Sequence, residues 1–108
     1  MMIVMVAASV MWAAAFQSTA ADGARSTLRT CIKEAANEAK GQKMASDAFT
    51  SFAMQRCTSQ ASTFKSAVWA FDSKNKVSKK QSESDANMQI EDFVSSAASR
   101  YQAELQAQ

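Results

Sequence analysis

The chain has 108 residues, with 12 basic and 10 acidic side chains and a net charge of +2, a balance that does not by itself imply a polyanionic partner. It contains no Pro and no His, so the commonest helix breaker, the usual general base and the commonest metal ligand are all missing. Alternating runs of β-branched residues are also missing, and we therefore expect one all-α domain.

The chain begins with an apolar leader. Residues 1–16 carry fifteen apolar side chains, interrupted only by Ser9, and every charged side chain lies at or after Asp22. Small-x-small sequences that end at Ala20 and Ala21 fit the rule for signal peptidase, so residues 1–21 are predicted to be a signal peptide that exports the helical domain 22–108. The leader lacks the basic residues with which a signal peptide normally starts. The alternative is a retained membrane anchor, although a transmembrane helix needs about 20 apolar residues and this run is shorter.

The first predicted helix covers about residues 23–40. Apolar or small residues recur in it at intervals of three and four, which is typical of a helix with one buried face. These residues are Leu28, Ile32, Ala35 and Ala39, with Cys31 at the edge of the face. Gly41 is predicted to end the helix in the left-handed conformation.

Two further helices are predicted at about residues 46–72 and 84–107. Their predicted buried faces are Phe49, Phe52, Ala53, Cys57, Phe64, Ala67, Val68 and Phe71, and then Ala86, Ile90, Phe93, Val94, Ala97, Tyr101 and Leu105. The polar segment 73–83 is predicted to be a loop, into which the second helix can extend because no Pro or Gly stops it. Three amphipathic helices predict a small antiparallel bundle. The alternative is a long helical hairpin whose third helix packs on a second copy.

The two cysteines are placed symmetrically about a predicted turn. Cys31 and Cys57 each lie thirteen residues from Met44, so a hairpin that turns there brings the sulfurs to the same level. Export favours a disulfide. Catalytic dithiols have cysteines close in sequence, so we interpret the pair as a structural disulfide rather than as free thiols or a redox site. Closing a loop of about 27 residues contributes about 3.5 kcal/mol.

Two groups of cations are candidates for contact with an anionic partner, such as a lipid head group, an envelope polysaccharide or an acidic protein. The first group forms a ridge on the first helix and consists of Arg25, Arg29, Lys33 and Lys40. The second group lies around the predicted loop and consists of Lys74, Lys76, Lys79 and Lys80. Like charges one helical turn apart repel each other, and an anion would offset that repulsion. The alternative for both groups is an ordinary solvated surface.

Other residues bear on partners and on catalysis. Trp69 lies off the buried stripe, so it either anchors a partner or a second copy, or covers the edge of the core. No enzyme activity is expected, because the chain lacks His and a glycine-rich phosphate loop, and the adjacent Glu91 and Asp92 point to different sides of a helix. Cysteines without His make a poor zinc site, and we expect no metal, no cofactor and no nucleic-acid partner.

In size, leader and single cysteine pair, the chain resembles small periplasmic acid-stress chaperones in general character. The local likeness is confined to Cys57-Thr58 and Phe64-Lys65, and the cysteine spacing is much shorter, so no residue role is transferred. The leading hypothesis is a periplasmic or secreted non-enzymatic protein that acts by binding or structural interaction in the cell envelope. The alternatives are a periplasmic stress chaperone or holdase, and a small protein anchored in the inner membrane by its leader.

Overall fold

The computed structural model describes the backbone of residues 2–107 and the side chains of residues 19–107. Within that range the chain forms four helices and no strand, namely α1 (Met2–Gly41), α2 (Ser46–Arg56), α3 (Thr58–Lys74) and α4 (Lys79–Ala107). The all-α class is confirmed, whereas the predicted number of three helices is wrong, because the predicted second helix is divided into α2 and α3.

For most of the predicted leader, the structure describes the backbone alone. The side chains of residues 1–18 are not among the described ones, so the signal peptide and its alternative, the membrane anchor, stay predictions. In the part of the chain that the structure describes, none of the helices combines the length and the apolar character that crossing a membrane requires.

The division between α2 and α3 is a bend at a single residue. Cys57 has φ −109° and ψ 21°, outside the helical region, yet its N–H still donates to the carbonyl oxygen of Ala53 at 3.0 Å. The hydroxyl of Thr58 donates to the carbonyl oxygens of Met54 and Gln55, both at 3.0 Å. Because a threonine that bonds back to the preceding turn bends a helix, α2 and α3 form one bent arm rather than two helices joined by a loop.

The end of α1 differs from the prediction for Gly41. Gly41 lies inside the helix, and the left-handed residue is Lys43, with φ 55°. The N–H of Lys43 donates to the carbonyl oxygen of Lys40 at 3.1 Å, and the N–H of Met44 donates to that of Ala39 at 2.9 Å. These two bonds form a Schellman motif, and its usual apolar contact is supplied by Ala39 and Met44, which pack in the same core.

The connection between α3 and α4 is shorter than predicted. Helix α4 begins at Lys79, because the hydroxyl of Ser78 accepts a hydrogen bond from the N–H of Gln81 at 3.1 Å and so caps the first turn. The predicted loop at 73–83 is therefore reduced to residues 75–78.

Helices α1 and α4 run parallel to each other, and the bent arm of α2 and α3 runs antiparallel to both and packs against both. The register of α1 and α4 is constant, because three side-chain contacts between them each join residues 64 positions apart. These contacts pair Arg25 with Gln89, Arg29 with Phe93, and Lys40 with Glu104.

The core between the helices is formed mostly by the predicted faces, although Ala67 and Phe71 are only partly buried and lie outside it. Its buried members include Leu28, Ile32, Ala35, Ala39, Phe49, Ala53, Phe64, Ala86, Ile90 and Tyr101. The ring of Tyr101 stacks on that of Phe49, with centroids 4.8 Å apart, and its hydroxyl donates to the carbonyl oxygen of Met44 at 2.6 Å. The last turns of α4 are thereby fixed to the connection between α1 and α2.

The predicted disulfide is confirmed. It joins Cys31 of α1 to Cys57 at the bend, with Cα atoms 5.9 Å apart, and both cysteines are buried. The covalent link therefore fixes the bend between α2 and α3 against α1.

Candidate functional site

A groove of about 190 Å³ lies between α1 and α4. Its cationic side chains are Arg29, Lys33, Lys40 and Arg100. Part of its lining is apolar and consists of Ile32, Ala36, Phe93 and Ala97. A second depression, which opens toward Asp22, shares Arg29, Lys33 and Arg100 with the groove. These three side chains therefore lie where the two depressions meet.

The groove follows from the parallel register of its two walls. Arg29 and Lys33 lie one helical turn apart on α1 and so share a face. The offset of 64 residues places Arg100 of α4 level with position 36 of α1, which is an alanine. The small side chains of Ala36 and Ala97 leave open the space around which the cations are arranged.

The cations differ in whether a carboxylate neutralises them. Arg25 pairs with Asp22, and Lys40 pairs with Glu104. Among residues 19–107, no carboxylate oxygen lies within 4.0 Å of the charged nitrogens of the other three groove cations, Arg29, Lys33 and Arg100. Positive charge is therefore concentrated where the two depressions meet, between the Arg25–Asp22 pair of the second depression and the Lys40–Glu104 pair of the groove.

The guanidinium groups of the ridge are held by aromatic rings. The Cζ atom of Arg29 lies 5.4 Å from the ring centroid of Phe93, and that of Arg25 lies 5.4 Å from the centroid of Phe64. Attraction between a cation and the face of an aromatic ring stabilises such an arrangement. Phe93 lines the groove, so its ring holds the guanidinium of Arg29 at the edge of the groove.

Two acids of α1, Glu34 and Glu38, form ion pairs with Arg56 and do not line the groove. Arg56, the last residue before the bend, donates from Nη2 to Oε1 of Glu38 at 2.9 Å and from Nε to Oε2 at 3.1 Å, and it also lies 3.8 Å from Glu34. The hydrogen bonds from Arg56 lower the pKa of Glu38, and the same contact raises the pKa of Arg56. These acids therefore do not neutralise the groove.

The structure separates the two groups of cations that the sequence suggested. The lysines of the second group are exposed around the connection between α3 and α4, away from the groove, and they are Lys74, Lys76, Lys79 and Lys80. Trp69 is partly buried on α3 and does not line the groove. Arg100 is not among the site residues predicted from the sequence, where its one signal is that it is the only basic residue after Lys80.

Residues 19–107 contain no group of three or more Cys, Asp or Glu side chains that could hold a metal ion. No family model matches the chain, and no curated protein or solved structure shows a significant similarity to it. The chemistry of the groove is therefore interpreted from the residues of this chain alone.

Proposed function

We propose that this is an exported, non-enzymatic helical protein whose groove between α1 and α4 binds an anionic component of the cell envelope. The observation that carries the proposal is the convergence of Arg29, Lys33 and Arg100, which lack carboxylate partners, on one partly apolar groove. Bringing three like charges together is unfavourable, and an anion between them removes that repulsion.

The export part of the proposal is supported by two features of the chain. The apolar leader resembles an export signal, and the Cys31–Cys57 disulfide is of a kind that persists in oxidising compartments. The non-enzymatic part is supported by the lining of the groove, which among the described residues holds no Cys or Asp side chain and whose one carboxylate, that of Glu104, is paired with Lys40.

The test of binding compares two triple variants that each remove three positive charges. The groove variant is R29Q, K33Q and R100Q. The turn variant is K74Q, K76Q and K79Q, whose side chains are exposed on the connection between α3 and α4. Circular dichroism is expected to show the same helix content for both, because all six side chains are outside the core.

The probes are vesicles of an anionic lipid, an acidic polysaccharide and poly-glutamate. The full chain is expected to bind at least one of them, the groove variant at least tenfold more weakly, and the turn variant with unchanged affinity. Loss of binding in the turn variant alone would move the site to the lysines. Absence of binding to every probe, or reproducible catalytic turnover by the purified protein, would refute the proposal.

The test of export is the intact mass of the protein from its native envelope fraction, with thiols alkylated before and after reduction. A chain that starts near Ala21 or Asp22, with two thiols that react only after reduction, is the expected result. A full-length chain would favour the alternative of a membrane anchor, and carbonate extraction of the membrane fraction would then separate an anchored protein from a soluble one.

A second candidate function, that of a holdase chaperone, is favoured by two exposed methionines. Met54 and Met88 are 41% and 62% exposed, and methionine adapts to varied apolar partners. Suppression of client aggregation at neutral and acid pH, and its loss in the variant M54Q/M88Q, would support this candidate. No suppression by a stoichiometric excess of protein at either pH would exclude it.

A further inference from the structure

We infer that the chemical group bound by the groove is a phosphate ester, with its oxygens held by Arg29, Lys33 and Arg100. This inference rests on the proposed function, since it specifies the ligand of the same groove. It distinguishes among the anions considered above, because a lipid head group or a phosphorylated sugar carries phosphate, whereas an acidic protein or uronic polysaccharide carries carboxylates.

The number and type of the donors favour phosphate. A carboxylate is satisfied by a single arginine, whose guanidinium fork matches its two oxygens. The unpaired donors of this groove are two arginines on different helices and a lysine one turn from the first, which together exceed what one carboxylate can accept. A phosphate offers more oxygens, and arginine recognises these oxygens in the same bidentate way.

The size of the groove limits what enters it. Its volume of about 190 Å³ is somewhat larger than the roughly 150 Å³ of an engineered protein cavity that holds one benzene molecule. A phosphate with its ester carbons fits that space, but a whole lipid or a folded peptide does not. A larger ligand would therefore present its phosphate to the groove and keep the remainder outside.

The groove is also organised before the ligand arrives. The ring of Phe93 lies under the guanidinium of Arg29, with the Cζ atom 5.4 Å from its centroid. A side chain that is already held loses less conformational freedom on binding. The carboxylate that lines the groove, Glu104, is paired with Lys40, so it does not compete for the central cations.

The first experiment titrates the labelled full chain with inorganic phosphate and with acetate at the same ionic strength, and follows the arginine Nε–Hε resonances by NMR. Phosphate is expected to shift the resonances of Arg29 and Arg100, and acetate is expected to shift them at least tenfold less at equal concentration. Equal shifts by both anions would overturn the phosphate inference and leave the anion-binding groove in place.

The second experiment distinguishes the sources of the phosphate. Vesicles that contain phosphatidic acid are compared with vesicles in which a fatty acid supplies the same negative charge. Stronger binding to the phosphatidic acid vesicles, together with at least tenfold tighter binding per phosphate than to free glycerol phosphate, would identify a lipid source. Similar affinity for the phosphatidic acid vesicles and free glycerol phosphate would identify a soluble one.

Variants test the geometry. Arg29→Lys keeps the charge and removes the fork, and it is expected to weaken phosphate binding about tenfold, which corresponds to about 1.4 kcal/mol. Lys79→Gln, at the start of α4, is expected to leave phosphate binding unchanged. Full affinity in Arg29→Lys would contradict recognition by the fork, while failure of every anion to bind would remove the proposed function as well.

Discussion

Opening the Cys31–Cys57 disulfide is expected to lower the free energy of unfolding by about 3.5 kcal/mol. The cysteines are separated by 26 positions, and in the chain-entropy model the cost of closing a loop of that length in the unfolded state is about 3.5 kcal/mol. A domain of this size has a total stability of about 4–13 kcal/mol, so the disulfide supplies a large share of it.

The assay is chemical denaturation followed by circular dichroism, with the oxidised protein, the reduced protein and the variant C31A/C57A measured side by side. Reduction breaks the link and keeps the two buried sulfurs, whereas the variant also removes the sulfurs. The variant is therefore expected to be less stable than the reduced protein by a further 2 kcal/mol or so, at about 1 kcal/mol for each methyl-sized cavity. In thermal unfolding, reduction alone corresponds to a fall in Tm of about 14–28 °C.

One result would refute this reasoning. If reduction changes the free energy of unfolding by less than about 1 kcal/mol, the unfolded chain must already hold Cys31 and Cys57 close together. The entropy of loop closure would then not be the source of the stabilisation.

Three further predictions concern backbone strain, a buried polar atom and an ion pair. In chemical denaturation, Lys43→Gly is expected to stabilise the protein by about 1 kcal/mol and Lys43→Ala is not, because glycine alone adopts φ 55° without strain. Gln60→Met is expected to raise stability by about 1 kcal/mol, since Oε1 of Gln60 is buried without a hydrogen bond among the described residues; a lower denaturation midpoint would contradict this. NMR titration of Arg56→Gln is expected to show the lowered pKa of Glu38 rising to its ordinary value. The stability from this lowered pKa is present above the pKa of unfolded Glu38, is lost as the pH falls through the folded value, and is expected to be absent in the variant.

The packing of this protein follows from a simple periodic pattern. Helical spacing predicts that residues such as Leu28, Ile32 and Ile90 lie in the core, and the structure buries them. The symmetric placement of the cysteines predicts the disulfide. Every helical residue adds the same rise, so two cysteines equally far from a turn lie at the same level on antiparallel helices. Both inferences depend on geometry that every α-helix shares.

The departures from the prediction all depend on hydrogen bonds that helical spacing does not describe. The bend at Cys57 coincides with the hydroxyl of Thr58 bonding back into the preceding turn. The left-handed residue after α1 is Lys43 rather than Gly41, because the Schellman bonds and the packing of Met44 offset the strain at Lys43.

The candidate site could be predicted only on one of its walls. Arg29 and Lys33 are close in sequence, so their shared face is visible in the spacing. Arg100 lies on a different helix, and its position beside them depends on the tertiary register of α1 and α4. Spacing within one helix carries no information about that register.

The constant offset of 64 residues between α1 and α4 has a consequence for how such a protein can change over evolution. A single residue inserted into α4 between Phe93 and Arg100 would rotate the arginine by about 100° around the helix axis and carry it out of the groove. Insertions in the connections at 42–45 or 75–78 would leave each helix face intact. Relatives that share the groove are therefore expected to tolerate length changes in these connections, and to keep fixed the spacing from Arg100 to Phe93 and from Arg29 to Lys33.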